Sequence, residues 1–212
     1  MKKLLIPVII IMMICGIIYG GRSEVRLQGN KEIVEDISSK IIRFHVIANS
    51  DDDLDQSLKL KIRDQVLEYI QPLLKDSQSI EESRTILKEE DEHLKDIARK
   101  VIADNGYNYE VESTLDRENF PVKTYGNITL PAGDYEAYRI IIGSGQGQNW
   151  WCVMFPPICF VDITKGTVAY EETEKEMGRV LSDEEMELVD NTEDNMVVVK
   201  FKALEIIKSL LK

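Results

Sequence analysis

Apolar and polar positions follow several different rhythms along this chain. From Leu4 to Gly21 almost nothing polar intervenes, Lys2 and Lys3 stand in front of the run, and charge begins at Arg22. A positive flank ahead of an apolar stretch engages the export machinery with the charged end kept inside. The stretch serves either as a signal peptide, with Gly20 or Gly21 as the small residue at a cleavage point, or as an anchor at the short end of what spans a bilayer. Residues 23–40 are polar, with Ile33, Val34 and Ile37 at helical spacing, and read as a linker or short helix.

Ile41 to Ala48 is rich in branched and aromatic residues and predicts a strand. Ile42, Phe44, Val46 and Ala48 would face one side, with Ile41, Arg43, His45 and Ile47 on the other. Leu58, Ile62, Val66, Tyr69 and Leu73 then recur at steps of three and four, which predicts an amphipathic helix to about Lys75. Ser79 and Glu82 have capping-box spacing and open a second, more charged helix, which Asn105-Gly106 stops. Strand patterns follow at Tyr107–Val111, Val122–Leu130, Tyr135–Ile142 and Gln148–Phe155, with turn chemistry at Leu130-Pro131-Ala132-Gly133 and a loop at Gly143–Gly147. Ser182 with Glu185 starts a short acidic helix. Met196–Phe201 fits strand or helix, and a helix is expected from Lys202 onward.

The fold class these elements predict is α+β: an antiparallel sheet, a meander of about four to five strands, with helices packed on one face. A hydrophobic signal or anchor helix precedes it. The domain organisation is 1–22 signal peptide or membrane anchor, 23–40 linker or short helix, and 41–212 a single folded domain.

Composition narrows the function classes. The 212 residues hold 26 Lys+Arg against 38 Asp+Glu, a net charge of -12. Such a chain repels phosphate backbones, so nucleic acid is excluded as a partner. Beyond Cys15 there are only Cys152 and Cys159, flanking Phe155-Pro156-Pro157, which can turn the chain back on itself. Outside the cytoplasm they either form a disulfide or remain small buried core residues. Two Cys and two distant His match no zinc spacing, and no metal or cofactor is expected.

Candidate chemistry is thin. Cys152 could be a nucleophile served by His45 or His93, but no nucleophile-family signature surrounds it. His45 shares a strand face with Arg43 just before a helix N-terminus, and both disfavour its protonation, so it reads as a neutral, hydrogen-bonding imidazole. His93 sits in a solvated acidic run. Asp51, Asp53 and Asp55 alternate like calcium ligands, but the sixth-position Gly and twelfth-position Glu are missing, and charge at a helix N-terminus explains them. Gly143, Gly145 and Gly147 lead into a strand rather than a helix, so they form a hairpin loop and no phosphate cradle. Trp150 and Trp151 are adjacent on a strand, so one faces the core and the other faces away, either covered or as an interface anchor. No catalytic residue stands out.

Three stretches carry a family resemblance. Arg43-Phe44-His45-Val46-Ile47-Ala48-Asn49-Ser50-Asp51 is followed by Asp55-Gln56-Ser57-Leu58-Lys59-Leu60-Lys61-Ile62-Arg63-Asp64. Tyr125-Gly126-Asn127-Ile128-Thr129-Leu130-Pro131-Ala132-Gly133-Asp134-Tyr135-Glu136-Ala137 is the second stretch. Gly147-Gln148-Asn149-Trp150-Trp151-Cys152-Val153-Met154-Phe155-Pro156-Pro157 is the third and most specific. In order and spacing they resemble the stage II sporulation protein R family (SpoIIR) from about Ile41 to Asp162. The resemblance implies a non-enzymatic signal of endospore formation, made in the forespore and exported into the intermembrane space. There it would trigger the aspartic-type membrane protease SpoIIGA to process pro-sigma-E, with no small-molecule substrate. The candidate contact surface is His45, Asn49 and Asp51 with Tyr125, Asn127, Gln148, Asn149 and Trp150 or Trp151, polar and aromatic residues near turns. The competing readings are an exported envelope enzyme of the Cys/His hydrolase type and a cell-wall-binding module.

Overall fold

The computed structural model describes residues 31–160 and 167–191. The leader at 1–22, the start of the linker and the stretches at 196–201 and from 202 onward lie outside the described residues. No helix among the described residues is long and apolar enough to cross a membrane.

Helix α1 (31–39) leads into β1 (Ile42–Ile47), then α2 (Asp53–Lys75), α3 (Ile80–Glu89) and α4 (Asp91–Asp104). Next come β2 (Val111–Phe120), a small hairpin of β3 (Lys123–Tyr125) and β4 (Ile128–Leu130), then β5 (Gly133–Ile142) and β6 (Asn149–Phe155). A 3₁₀ turn at Ile158–Phe160 precedes α5 (Thr167–Met177) and α6 (Asp183–Val189). Ser79 caps α3 by accepting the Glu82 N–H, Ser182 and Glu185 form a reciprocal capping box on α6, and Gly106 ends α4 at φ 82°.

The architecture is α+β, but the sheet is mixed and no antiparallel meander. Its order is β2-β5-β1-β6, with β1 parallel to β5 and antiparallel to β6. β5 and β6 do not pair with each other, because β1 lies between them. The segment from Gly143 to Gln148 therefore strides over the end of β1 instead of closing a tight hairpin. Two of its glycines take positive φ, Gly143 at 57° and Gly145 at 62°, where a side chain is strained. Gly147 lies against the chain beneath it. A methyl there would sit 2.6 Å from the Ser50 carbonyl carbon and closer still to its oxygen, backbone that has little room to yield. Gly147→Ala is therefore expected to destabilise the fold by about 3 kcal/mol or more. Urea denaturation checks this; a midpoint equal to the parent's would refute the crossing geometry.

Helices cover both faces, contrary to the single-face expectation. Ile42, Phe44, Val46, Tyr138, Ile140 and Ile142 pack under α2–α4, against Leu58, Ile62, Val66, Ile70 and Leu74 from α2 alone. This stripe runs in steps of four, so Ile70 and Leu74 are buried while Leu73 turns outward. The opposite face gathers Ile41, Phe120, Ile128, Leu130, Tyr135, Ala137 and Val153 beneath α1, the β3–β4 hairpin, α5 and α6. Lys40 ties two of these elements together by donating to Glu185 at 2.7 Å. The long charged helix expected after Ser79 breaks at Glu90, whose carboxylate accepts the Tyr69 hydroxyl at 2.7 Å.

Candidate partner-binding surface

The end of β1 and the segment that crosses it are riveted together by the polar residues of the motif. Asn49 donates through Nδ2 to Asp55 at 2.9 Å and accepts from the Ser144 N–H at 3.0 Å. The Asp51 carboxylate accepts the Gln148 N–H at 2.7 Å, and the Lys59 ammonium donates to the Gln148 carbonyl at 2.8 Å. Asp55 is buried at the start of α2. Burial alone would raise its pKa, but donors from Ser50, Asn49 and Tyr109 hold it below the usual carboxylate range. Asp51 and Asp55 thus serve separate backbone and side-chain partners. Among the described residues no group of three or more His, Cys, Asp or Glu could hold a metal ion.

Near the start of β1 lies a buried cation in an aromatic box. Arg43 has 0% exposure; its guanidinium carbon sits 4.3 Å from the Phe120 ring centroid, 4.8 Å from Tyr135 and 5.6 Å from Tyr125. Nη2 donates to the Tyr125 hydroxyl at 3.0 Å, while Nε and Nη1 have no hydrogen-bond partner among the described residues. Three ring faces replace water as the medium for the charge. Burial lowers the Arg43 pKa, and it raises those of Tyr125 and Tyr135, the latter to about 12. His45, one pleat along, is 4% exposed and stacks on Trp151 at 4.8 Å and 11°. Among the described residues neither ring nitrogen has a partner, so the imidazole is neutral as expected but makes none of the hydrogen bonds expected of it. Burial, reinforced by Arg139 and Arg43, pushes its pKa down to about 3. It works as a flat aromatic body.

The nine contact residues expected from the sequence do not form one patch. His45 and Asn127 are inside the protein, where the Asn127 amide donates to Glu174 and Asp190. Tyr125 is half-buried on Arg43, and Asn49 and Asp51 are engaged in the crossing. What reaches the surface together is exposed Gln148 with half-buried Asn149, Trp150 and Trp151. The two tryptophans do face opposite sides of the sheet. Trp150 meets Phe44 edge-on at 5.9 Å and carries Arg63 over its ring at 4.9 Å. Trp151 meets Phe120 at 4.9 Å and carries Lys123 at 5.2 Å. These cations were not foreseen; a basic residue on a helix and one on a hairpin gave no sequence sign of a shared destination.

Cys152 and Cys159 are joined in the structure, their Cα atoms 5.5 Å apart, and the link holds the 3₁₀ turn back against β6. Cys152 pairs in register with Phe44 while His45 pairs with Trp151, which puts the Cys152 and His45 side chains on opposite sheet faces. His93 packs on Tyr69 at 4.4 Å. A Cys/His dyad between Cys152 and His45 is geometrically unavailable.

Comparison with known proteins agrees with the motif segments. Residues 38–165 match the family described as Stage II sporulation protein R. Stage II sporulation protein R of Bacillus subtilis (strain 168) is 37% identical over 186 residues, 88% of this chain and 83% of that protein. No solved structure matches the chain. With the match running from the end of α1 across β1, α2–α4, the mixed sheet and the joined cysteines, the chain belongs to the stage II sporulation protein R family.

Proposed function

We propose that this protein is a signal of endospore formation that is exported from the forespore and activates the membrane protease SpoIIGA from its extracytoplasmic side, so that pro-sigma-E is processed. The identity of 37% over 186 residues to a stage II sporulation protein R carries this reading. Three features support it. Lys2-Lys3 ahead of the Leu4–Gly21 run has the character of an export segment. A joined Cys152–Cys159 pair fits an oxidising compartment. The histidines and the cysteine that could act chemically are engaged in stacking and a disulfide.

Activation by a ligand requires that it bind the protease's active arrangement more tightly than its idle one. For an aspartic-type enzyme the natural step to bias is assembly of the catalytic dyad. Co-expression of this chain with the protease and pro-sigma-E in a non-sporulating host tests the proposal. Processing is expected with the full chain and lost when residues 1–22 are removed. Processing that is indifferent to the presence of this chain would end the reading.

A further inference from the structure

The two edges of the sheet are built differently. The outer strand β2 reads VESTLDRENF, and its Glu112, Asp116, Arg117 and Glu118 blunt that edge in the usual way. The other outer strand, β6, reads NWWCVMF and carries no charge. Its lower part is covered: Cys152 to Phe155 are buried, with the 3₁₀ turn pinned beside them by the disulfide. Its upper part, Asn149–Trp151, is half-buried, and no backbone group of any other described strand or loop pairs with its outer side. Alternate residues of an edge strand turn N–H and C=O outward, a template for one more strand.

We infer that the Asn149–Trp151 edge of β6 is a docking site for an extended, acidic segment of a partner protein, which adds as a further strand between the two tryptophans. Side chains of an added strand alternate between the two faces. One would meet Trp150 and Arg63; its neighbour would meet Trp151 and Lys123. Positive groups at both positions, on a chain of net charge -12, select carboxylates at adjacent positions of the incoming strand. Of the nearby carboxylates, Asp51 is engaged by the Gln148 N–H, and Asp64 pairs with Arg63 at 2.6 Å through Nη2 and 2.7 Å through Nε, an exposed pair worth little that an incoming carboxylate can replace. A second copy docking through its own β6 edge would oppose cation to cation. The inference rests on the reading that this chain acts by binding.

Both tryptophans of the chain are at this edge, so their fluorescence reports on it alone. The full chain is titrated with the peptide acetyl-Thr-Val-Glu-Asp-Val-Thr-amide and with a counterpart carrying two lysines in place of the acids. Saturable change is expected with the acidic peptide only. Arg63→Glu with Lys123→Glu should weaken it about tenfold or more, while Arg99→Glu on distant α4 should not. If the double reversal lowers the melting temperature, Arg63→Gln with Lys123→Gln replaces it, with the same expectation. Equal affinity in parent and double variant overturns the inference. So does a response to anionic vesicles without one to the peptide, or self-association that the double variant abolishes. In the co-expression assay, a double variant that still triggers processing sinks this surface and leaves the signalling role standing. A parent that triggers nothing sinks the role, and the peptide titration still decides the surface.

Discussion

Replacing His45 with phenylalanine is expected to flatten the acid side of the stability profile. An unfolded chain protonates this histidine near its ordinary value of 6.5; the folded protein does so only near about 3. Between those two values the unfolded state binds more protons, so acid favours unfolding. Stability is intact above about 6.5, falls as pH drops towards about 3, and changes no further from this source below that. The slope approaches about 1.4 kcal/mol per pH unit below pH 6.5, which amounts to about 2 kcal/mol between pH 6.5 and pH 4.5. Phenylalanine keeps a flat ring against Trp151 and Phe120 and removes the titration. Other groups titrate in both proteins, so the diagnostic quantity is the difference between them. Guanidinium denaturation of the two proteins at pH 7 and pH 4.5 measures it; parallel losses would mean that the imidazole is hydrated or charged in the native state.

The second large effect concerns Arg43, whose two substitutions should separate. Arg43→Ala removes the body that three aromatic rings enclose and is expected to cost about 3–5 kcal/mol. Arg43→Met fills much of the same space without a charge to keep out of water. Because among the described residues its contacts are three rings and one hydroxyl and no carboxylate pairs with it, that variant should lie within about 1 kcal/mol of the parent or exceed it. Urea midpoints of the two variants decide the matter. A methionine variant as damaged as the alanine one would show that the charge itself, and not the volume, holds the Tyr125 hairpin down.

How much of this was legible in the chain follows from which signals are local. The faces of β1, the caps at Ser79 and Ser182 and the stop at Asn105-Gly106 depend on neighbours in sequence, and each is found in the structure. Sheet order does not depend on neighbours. Tyr135–Ile142 and Gln148–Phe155 look like a hairpin from their own residues, and only the pairing of Ile47 with both Ile141 and Asn149 shows a strand inserted between them. β2 was misplaced because its edge-strand pattern is broken by Glu112, Asp116, Arg117 and Glu118, with only its two end residues, Val111 and Phe120, buried. At the candidate surface, polarity misled in a consistent way: Asn49, Asp51 and Asn127 are polar because the fold uses them internally. The tryptophans were legible as a pair on opposite faces. Their cations were not, since Arg63 and Lys123 come from elements with no sequence link to β6.

The inserted strand also sets an order of events. Ile42 lies beside Glu136 and Phe155, so among the described residues the earliest strand is flanked by the two latest. Until Phe155 is available, β1 has at most one neighbour, and contacts this distant in sequence are slow to close. For a polypeptide drawn end-first through a narrow pore, the sheet around β1 would thus lock only after β6 had cleared the opening.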